Sequence, residues 1–124
     1  MAFYYQELSE KVIGVMFKTY NQEGYGFKEK YYEDVVAEKL KEGNIGYHKQ
    51  KLVKLVSKAG RVYYRKVDFD IENKMVVELK VARKFVKEQF DQVNEYLKAL
   101  DYRLGLLIVF TPEKVLIRRV VNEK

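Results

Sequence analysis

Asp68-Phe69-Asp70-Ile71-Glu72-Asn73-Lys74-Met75-Val76-Val77-Glu78-Leu79-Lys80 reads as a β-hairpin that carries two carboxylates and an ammonium toward one spot. Val67, Phe69 and Ile71 alternate with polar neighbours, Glu72-Asn73-Lys74 is a turn signal, and Met75-Val76-Val77 leads a second strand. Side chains two apart on a strand share a face, so Glu78 and Lys80 point the same way. Pairing centred on Asn73 sets Asp68 opposite Glu78, whereas pairing centred between Asn73 and Lys74 sets it opposite Leu79 on the other face. A three-residue loop gives the first register, and Asn tolerates the left-handed backbone such loops need. Acids directly opposite each other repel, so this hairpin carries a stability cost that a divalent cation would remove.

Outward from the hairpin, the elements run helix, helix, strands, helix, strands. Leu8, Val12, Val15/Met16 and Thr19 fall at helical spacing from Tyr5 to Asn21, and Gly24 and Gly26 break that helix. A second helix is expected from Lys28 to Glu42, with Tyr32, Val35/Val36 and Lys39/Leu40 on one side and Gly43 as its stop. His48 to Ser57 and Arg61 to Ile71 read as strands around a Lys58-Ala59-Gly60 turn. Val86, Phe90, Val93, Leu97 and Leu100 mark a third helix, about Arg83 to Leu100, as the cleanest amphipathic pattern in the chain. Leu104 to Phe110 is a buried-type strand, Thr111-Pro112 turns, and Val115 to Val121 alternates as the last strand. Met75 to Phe110 is therefore strand-helix-strand, which implies a parallel pair, while the flanking hairpins imply antiparallel neighbours. The expected fold is α/β: a mixed sheet flanked by two N-terminal helices and one crossover helix.

Composition bounds the chemistry. The chain has 124 residues, enough for one domain with a real core. It contains no cysteine and one histidine, His48, which excludes disulfides, thiolate ligands, cysteine nucleophiles and a multi-histidine zinc site within one chain. Charged Glu7, Glu10 and Lys11 interrupt any apolar leader, and Leu106–Phe110 is far too short to span a bilayer. A soluble, cytoplasmic protein without membrane attachment is the expectation. The net charge of +6 is unevenly spread: Lys49, Lys51, Lys54, Lys58, Arg61, Arg65 and Lys66 fall between Gly43 and Val67, where no acid occurs. That segment holds the whole excess and suits a polyanion such as nucleic acid. The alternative is a solvated hairpin with lysines on its outer face.

Gly26-Phe27-Lys28-Glu29-Lys30-Tyr31-Tyr32 fits a G-x-x-E-x-x-Y signature. With Asp68, Val76-Val77-Glu78-Leu79-Lys80, Gln92-Val93-Asn94-Glu95-Tyr96 and Gly105–Phe110 in order, the chain resembles the GxxExxY protein family of the PD-(D/E)XK nuclease superfamily. The resemblance implies a restriction-endonuclease-like core and a single nuclease-like domain over residues 1–124. It further implies Asp68 and Glu78 as ligands of Mg²⁺ or Mn²⁺, joined by the Leu79 backbone carbonyl and by Glu29, directly or through water. Hard oxygen ligands with retained waters suit those ions. Lys80 would orient or help deprotonate the attacking water and offset transition-state charge. Gln92 would position the lysine or water, and Tyr96, one turn on, would steady the substrate backbone. Lys49, Lys51, Arg61, Arg65 and Lys66 would bind nucleic acid, DNA before RNA.

Plainer readings stand beside these. Glu29 outside its motif would be a solvated helix charge; Tyr32 fits the core; Gly26 fits a positive-φ turn; His48 reads as incidental. Arg118 and Arg119 should face opposite sides of the last strand. Asp70 departs from the family pattern, as an extra ligand or as a surface carboxylate beyond the cleft, and burial habits favour the surface. The leading function is a metal-dependent nuclease hydrolysing phosphodiester bonds in DNA. The alternatives are a nucleic-acid-binding module without turnover and a defence or toxin-like partner protein, and the small size is compatible with a homodimer.

Overall fold

The computed structural model describes residues 4–123. Its elements are α1 (Gln6–Glu23), α2 (Glu29–Glu42), β1 (Tyr47–Val56), β2 (Val62–Ile71), β3 (Met75–Val81), α3 (Lys87–Leu100), β4 (Leu104–Phe110) and β5 (Val115–Val121). The strands form one sheet in sequence order, antiparallel except for the parallel β3–β4 pair. Helices α1 and α2 bury Val12, Met16, Tyr32, Val36 and Leu40 against Phe69, Val77, Leu79 and Leu106 on one face. On the other, α3 packs Val93, Tyr96 and Leu97 against Val53, Val67 and Val76. The mixed sheet between helices is the architecture expected from the alternation of periods.

The third helix starts at Lys87 instead of Arg83. Val86 is extended (φ −127°), and its N–H donates to the side chain of Gln89 at 3.1 Å, ending the helix N-terminally. Ahead of it, Phe85 leaves the helical track to meet Phe90, ring centroids 5.3 Å apart, and the Arg118 guanidinium lies over the Phe85 ring, 5.2 Å from its centroid. Arg119 instead donates to Ser9 of α1, so the two arginines do face opposite ways.

Close approach of α3 to the sheet depends on Gly105, where an added Cβ would lie 2.6 Å from Cγ1 of Val93. Valine cannot swing aside freely, because its branched Cβ leaves few rotamers. Gly105→Ala is therefore expected to cost on the order of 1–3 kcal/mol by overpacking, read as a lower urea midpoint with an unchanged slope.

One irregularity organises the molecule. Gln50 has φ 56°, in the left-handed region, yet β1–β2 register continues across it without an inserted residue, from His48↔Asp70 to Leu52↔Lys66. The side-chain alternation breaks there. Phe69 packs with α1 and α2, whereas Val67, two residues earlier, packs with α3. Lys49 likewise ion-pairs with Asp34 of α2, while Lys51 reaches Asp70 and Tyr102 on the α3 side. Asp68, opposite this kink, sits where the sheet exchanges faces.

Candidate active site

The hairpin turn takes the register centred on Asn73, pairing Phe69↔Val77, Asp70↔Val76 and Ile71↔Met75. Both Glu72 (φ 52°) and Asn73 (φ 57°) are left-handed, and the Lys74 N–H donates to the Ile71 carbonyl at 3.0 Å to close the turn. Glutamate is an unusual occupant, and it is held by mutual bonds to Gly46: its N–H donates to the Gly46 carbonyl at 3.0 Å, and its carboxylate accepts the Gly46 N–H at 3.2 Å.

Beyond Phe69↔Val77 the backbone ladder stops, and side chains take its place. The Asp68 N–H donates to Oε2 of Glu78 at 2.7 Å, and the Leu79 N–H donates to Oδ2 of Asp68 at 2.8 Å. Since N–H and C=O of one strand residue point the same way, the Leu79 carbonyl opens toward the same gap. The Lys80 ammonium stands 3.6 Å from Oε1 of Glu78. Glu29, at the start of α2, accepts the Val81 N–H at 3.1 Å. The G-x-x-E-x-x-Y motif explains that placement. Gly26 (φ 123°) makes the turn, and buried Tyr32 anchors the helix by donating to the Gly24 carbonyl at 2.5 Å and by an edge contact with Phe110.

Two functional candidates were not legible in the motifs. Glu33, one turn after Glu29, is buried, and Gln50 donates to it from Nε2 at 2.7 Å and to Asp68 at 3.4 Å. The i,i+4 spacing from Glu29 was the available signal for Glu33; nothing local announces Gln50.

Burial dominates the electrostatics. It pushes the Glu78 carboxyl up to about 8, with Asp68 adding to the rise and the Asp68 N–H and Lys80 opposing it. Burial also raises Asp68, against the Leu79 N–H and Lys80, and lifts Glu33 to about 7, with Asp68 contributing. Three acids resist ionisation together, which is the condition a cation relieves.

The expected ligand set is only partly assembled. Among the described residues, no three His, Cys, Asp or Glu side chains stand together as a metal cage. Glu29 accepts the Val81 N–H at the end of β3 through one carboxylate oxygen. Asp68, Glu78 and the Leu79 carbonyl remain, a hard-oxygen set of the kind Mg²⁺ uses when water and substrate phosphate complete its shell. The residues present fit that ion.

Other expected site residues are placed differently. Tyr96 is buried, 1% exposed, and Glu78 and Asp68 help burial hold its phenol above the usual range. It therefore lies beneath the carboxylates and is not presented at the surface. Gln92 lies half-buried one turn earlier on α3. Lys49 is occupied by Asp34 and Lys51 by Asp70, while Arg61, Arg65 and Lys66 are exposed. The surface reading of Asp70 is overturned. The residue is 1% exposed, and its Oδ2 accepts Lys51 and the Tyr102 hydroxyl, each at 2.6 Å. Two-residue alternation from Asp68 fails because the face exchange intervenes.

Gln50 joins α2 to β2 through its carboxylate contacts. Gln50→Leu is expected to lower divalent-ion affinity, and any cleavage rate, by roughly 10–100-fold. Calorimetric titration of the ion checks the first effect without reference to activity.

The family model described as the PD-(D/E)XK nuclease superfamily matches residues 6–120. A crystal structure of SSO0001 superposes with a TM-score of 0.63 at 20% identity, covering 98% of this chain and 61% of that one. An alkaline exonuclease (LHK-Exo) from Laribacter hongkongensis superposes at 0.56 with 9% identity, covering 99% and 73%. This chain thus spans about 61% of the length of SSO0001. At these identities the likeness is one of fold. No curated protein matches.

Proposed function

The chain belongs to the PD-(D/E)XK nuclease superfamily, and from that premise we propose that it is one nuclease-like domain of the GxxExxY type. Its reaction would be divalent-metal-dependent hydrolysis of phosphodiester bonds in DNA. The observation that carries this reading is the reciprocal Asp68–Glu78–Leu79 arrangement, buried acids with raised pKa beside the Lys80 ammonium.

Asp68, Glu78 and the Leu79 carbonyl would hold Mg²⁺ or Mn²⁺. When bound, the ion supplies Lewis-acid polarisation of a phosphate oxygen and a lowered water pKa. The chain's own groups do the rest. Lys80 orients the attacking water and offsets the charge that builds on the phosphate oxygens. Glu33, near 7, suits acceptance of the water's proton at neutral pH. The water oxygen bonds to phosphorus as the P–O3′ bond breaks, and the departing sugar oxygen takes a proton from solvent to end as a hydroxyl, with phosphate left on the 5′ side. Tyr96 packs near the carboxylates from α3, and Gln92, half-buried one turn earlier, would position the lysine or the water. Glu29 ties α2 to the end of β3. The basic side chains of β1 and β2 hold the flanking nucleic acid, with Arg61, Arg65 and Lys66 the freer ones.

Among the described residues no helix is long and apolar enough to cross a membrane, in keeping with a cytoplasmic enzyme acting on nucleic acid. The test is incubation with single-stranded, duplex and branched DNA, and with RNA, in Mg²⁺ or Mn²⁺. Cleavage in the metal and not in chelator is the expected result. Salt-sensitive binding without turnover in either ion would leave a binding module of the same fold.

A further inference from the structure

The β1–β2 hairpin runs past the first turn of α2, where Lys49 and Gln50 meet Asp34 and Glu33, and leaves one sheet face without cover. Pairing sets Leu52 opposite Lys66, Lys54 opposite Tyr64, and Val56 opposite Val62. These six alternate with Val53, Leu55 and Tyr63, which turn to α3, so they share the opposite face. All six are exposed: Leu52 59%, Val56 61%, Val62 52% and Tyr64 57%, with both lysines open as well. Scattered apolar residues on a surface are ordinary, but four in contiguous register positions are a patch.

Charge chooses the occupant. Between Gly43 and Val67 no acid occurs. Lys54 and Lys66 on the face, and Lys58 and Arg61 at the tip, have no carboxylate partner among the described residues. A second copy would bring like charge against like charge, whereas a polyanion would be attracted. The apolar part then selects among polyanions. A duplex offers phosphates and grooves, while an unpaired strand offers base faces that stack on tyrosine and lie on aliphatic side chains, with phosphates left for lysine. Leu52, Val56 and Val62 carry no side-chain hydrogen-bonding group for a 2′-hydroxyl, which favours DNA over RNA.

Position fits the same occupant. Lys66 is two residues from Asp68 and Tyr64 four, so the patch begins beside the carboxylates and extends about 13 Å along β2. We propose that this hairpin face is a stacking platform for a single DNA strand leading to or from the scissile phosphate. The proposal rests on the nuclease reading for the identity of the site and adds the strandedness of its substrate.

The test measures binding without turnover, by anisotropy of a labelled 20-nucleotide oligothymidine, a duplex of equal length and an oligouridine, all in EDTA. Oligothymidine should bind tightest. Tyr64→Ser should weaken it by about 5- to 100-fold with the salt slope unchanged, and Tyr64→Phe should restore it. Lys54→Ala and Lys66→Ala should each reduce the slope of log K against log salt by about 0.7. Circular dichroism checks that the exposed-site variants stay folded. Equal oligothymidine affinity in wild type and Tyr64→Ser, equal losses on strand and duplex, or preference for oligouridine would overturn the proposal. So would a solution dimer dispersed by Leu52→Ser with Val56→Ser, which would assign the face to a second copy. Binding through this face without cleavage in any metal would sink the nuclease reading alone. Cleavage with Tyr64→Ser indifferent would sink the platform alone.

Discussion

In Glu78→Gln and Lys80→Ala, phosphodiester cleavage is expected to fall by roughly 10²–10³-fold or more, with the protein still folded. The two changes remove different things. Glu78 offers one oxygen to the Asp68 N–H and the other toward Lys80 and the gap. A glutamine amide keeps the first contact through its oxygen but presents an NH₂ where a cation needs an oxygen. Lys80 is only partly exposed, so its ammonium acts in surroundings drier than bulk water, where a single charge counts for more. Binding should respond differently. The proposed flanking contacts belong to other side chains, on β1 and β2, so KM should move much less than kcat in Lys80→Ala. Stopped or quenched time courses with saturating labelled DNA separate the two. Full activity in Glu78→Gln would show that the buried acids of this hairpin do no chemistry.

The metal-free protein is expected to lose stability as pH rises from about 4.5 to about 8. Glu78 carries a folded-state pKa of about 8 against an ordinary value of 4.5, Asp68 is raised as well, and Glu33 stands at about 7. Raised acids mean that the folded chain binds protons more tightly than the unfolded chain across that window, so raising the pH penalises folding. For Glu78 the effect is on the order of a few kcal/mol, or a melting-temperature drop of roughly 10 °C between pH 5 and pH 8.5 in EDTA, and the rise of Asp68 acts in the same direction. Glu78→Gln should flatten the profile and melt higher than wild type at pH 8.5. Added Mg²⁺ should stabilise wild type at that pH and leave the variant unmoved. A profile that is flat in wild type would mean that the carboxyls are hydrated and ionise freely.

Much of the fold is written locally. Strand alternation in Phe69–Ile71, the apolar run Leu104–Phe110 and the four-three spacing of Val86–Leu100 each report their own element within a few residues. The strand-helix-strand order then constrains the β3–β4 pair to be parallel. The Asn73-centred register followed from loop length, and it brings Asp68 and Glu78 together as expected. The start of α3 was misplaced because Arg83–Val86 carries no breaker; Phe85 leaves the helix for ring contacts that only the folded chain offers.

What the amino-acid order determined by itself was the set of elements, their adjacency and the meeting of Asp68, Glu78 and Lys80 at the candidate site. Only the tertiary structure decided which further groups join them. Glu33 reaches the candidate site because α2 lies over the kink, and Gln50 because its backbone is left-handed there, a conformation that no propensity assigns to glutamine. The same kink sends Asp70 and Lys51 into an ion pair on the α3 side, with Asp70 buried and Lys51 partly so. Alternation is a property of regular strands. Where long-range packing forces one residue out of the regular conformation, every inference from parity beyond it changes face.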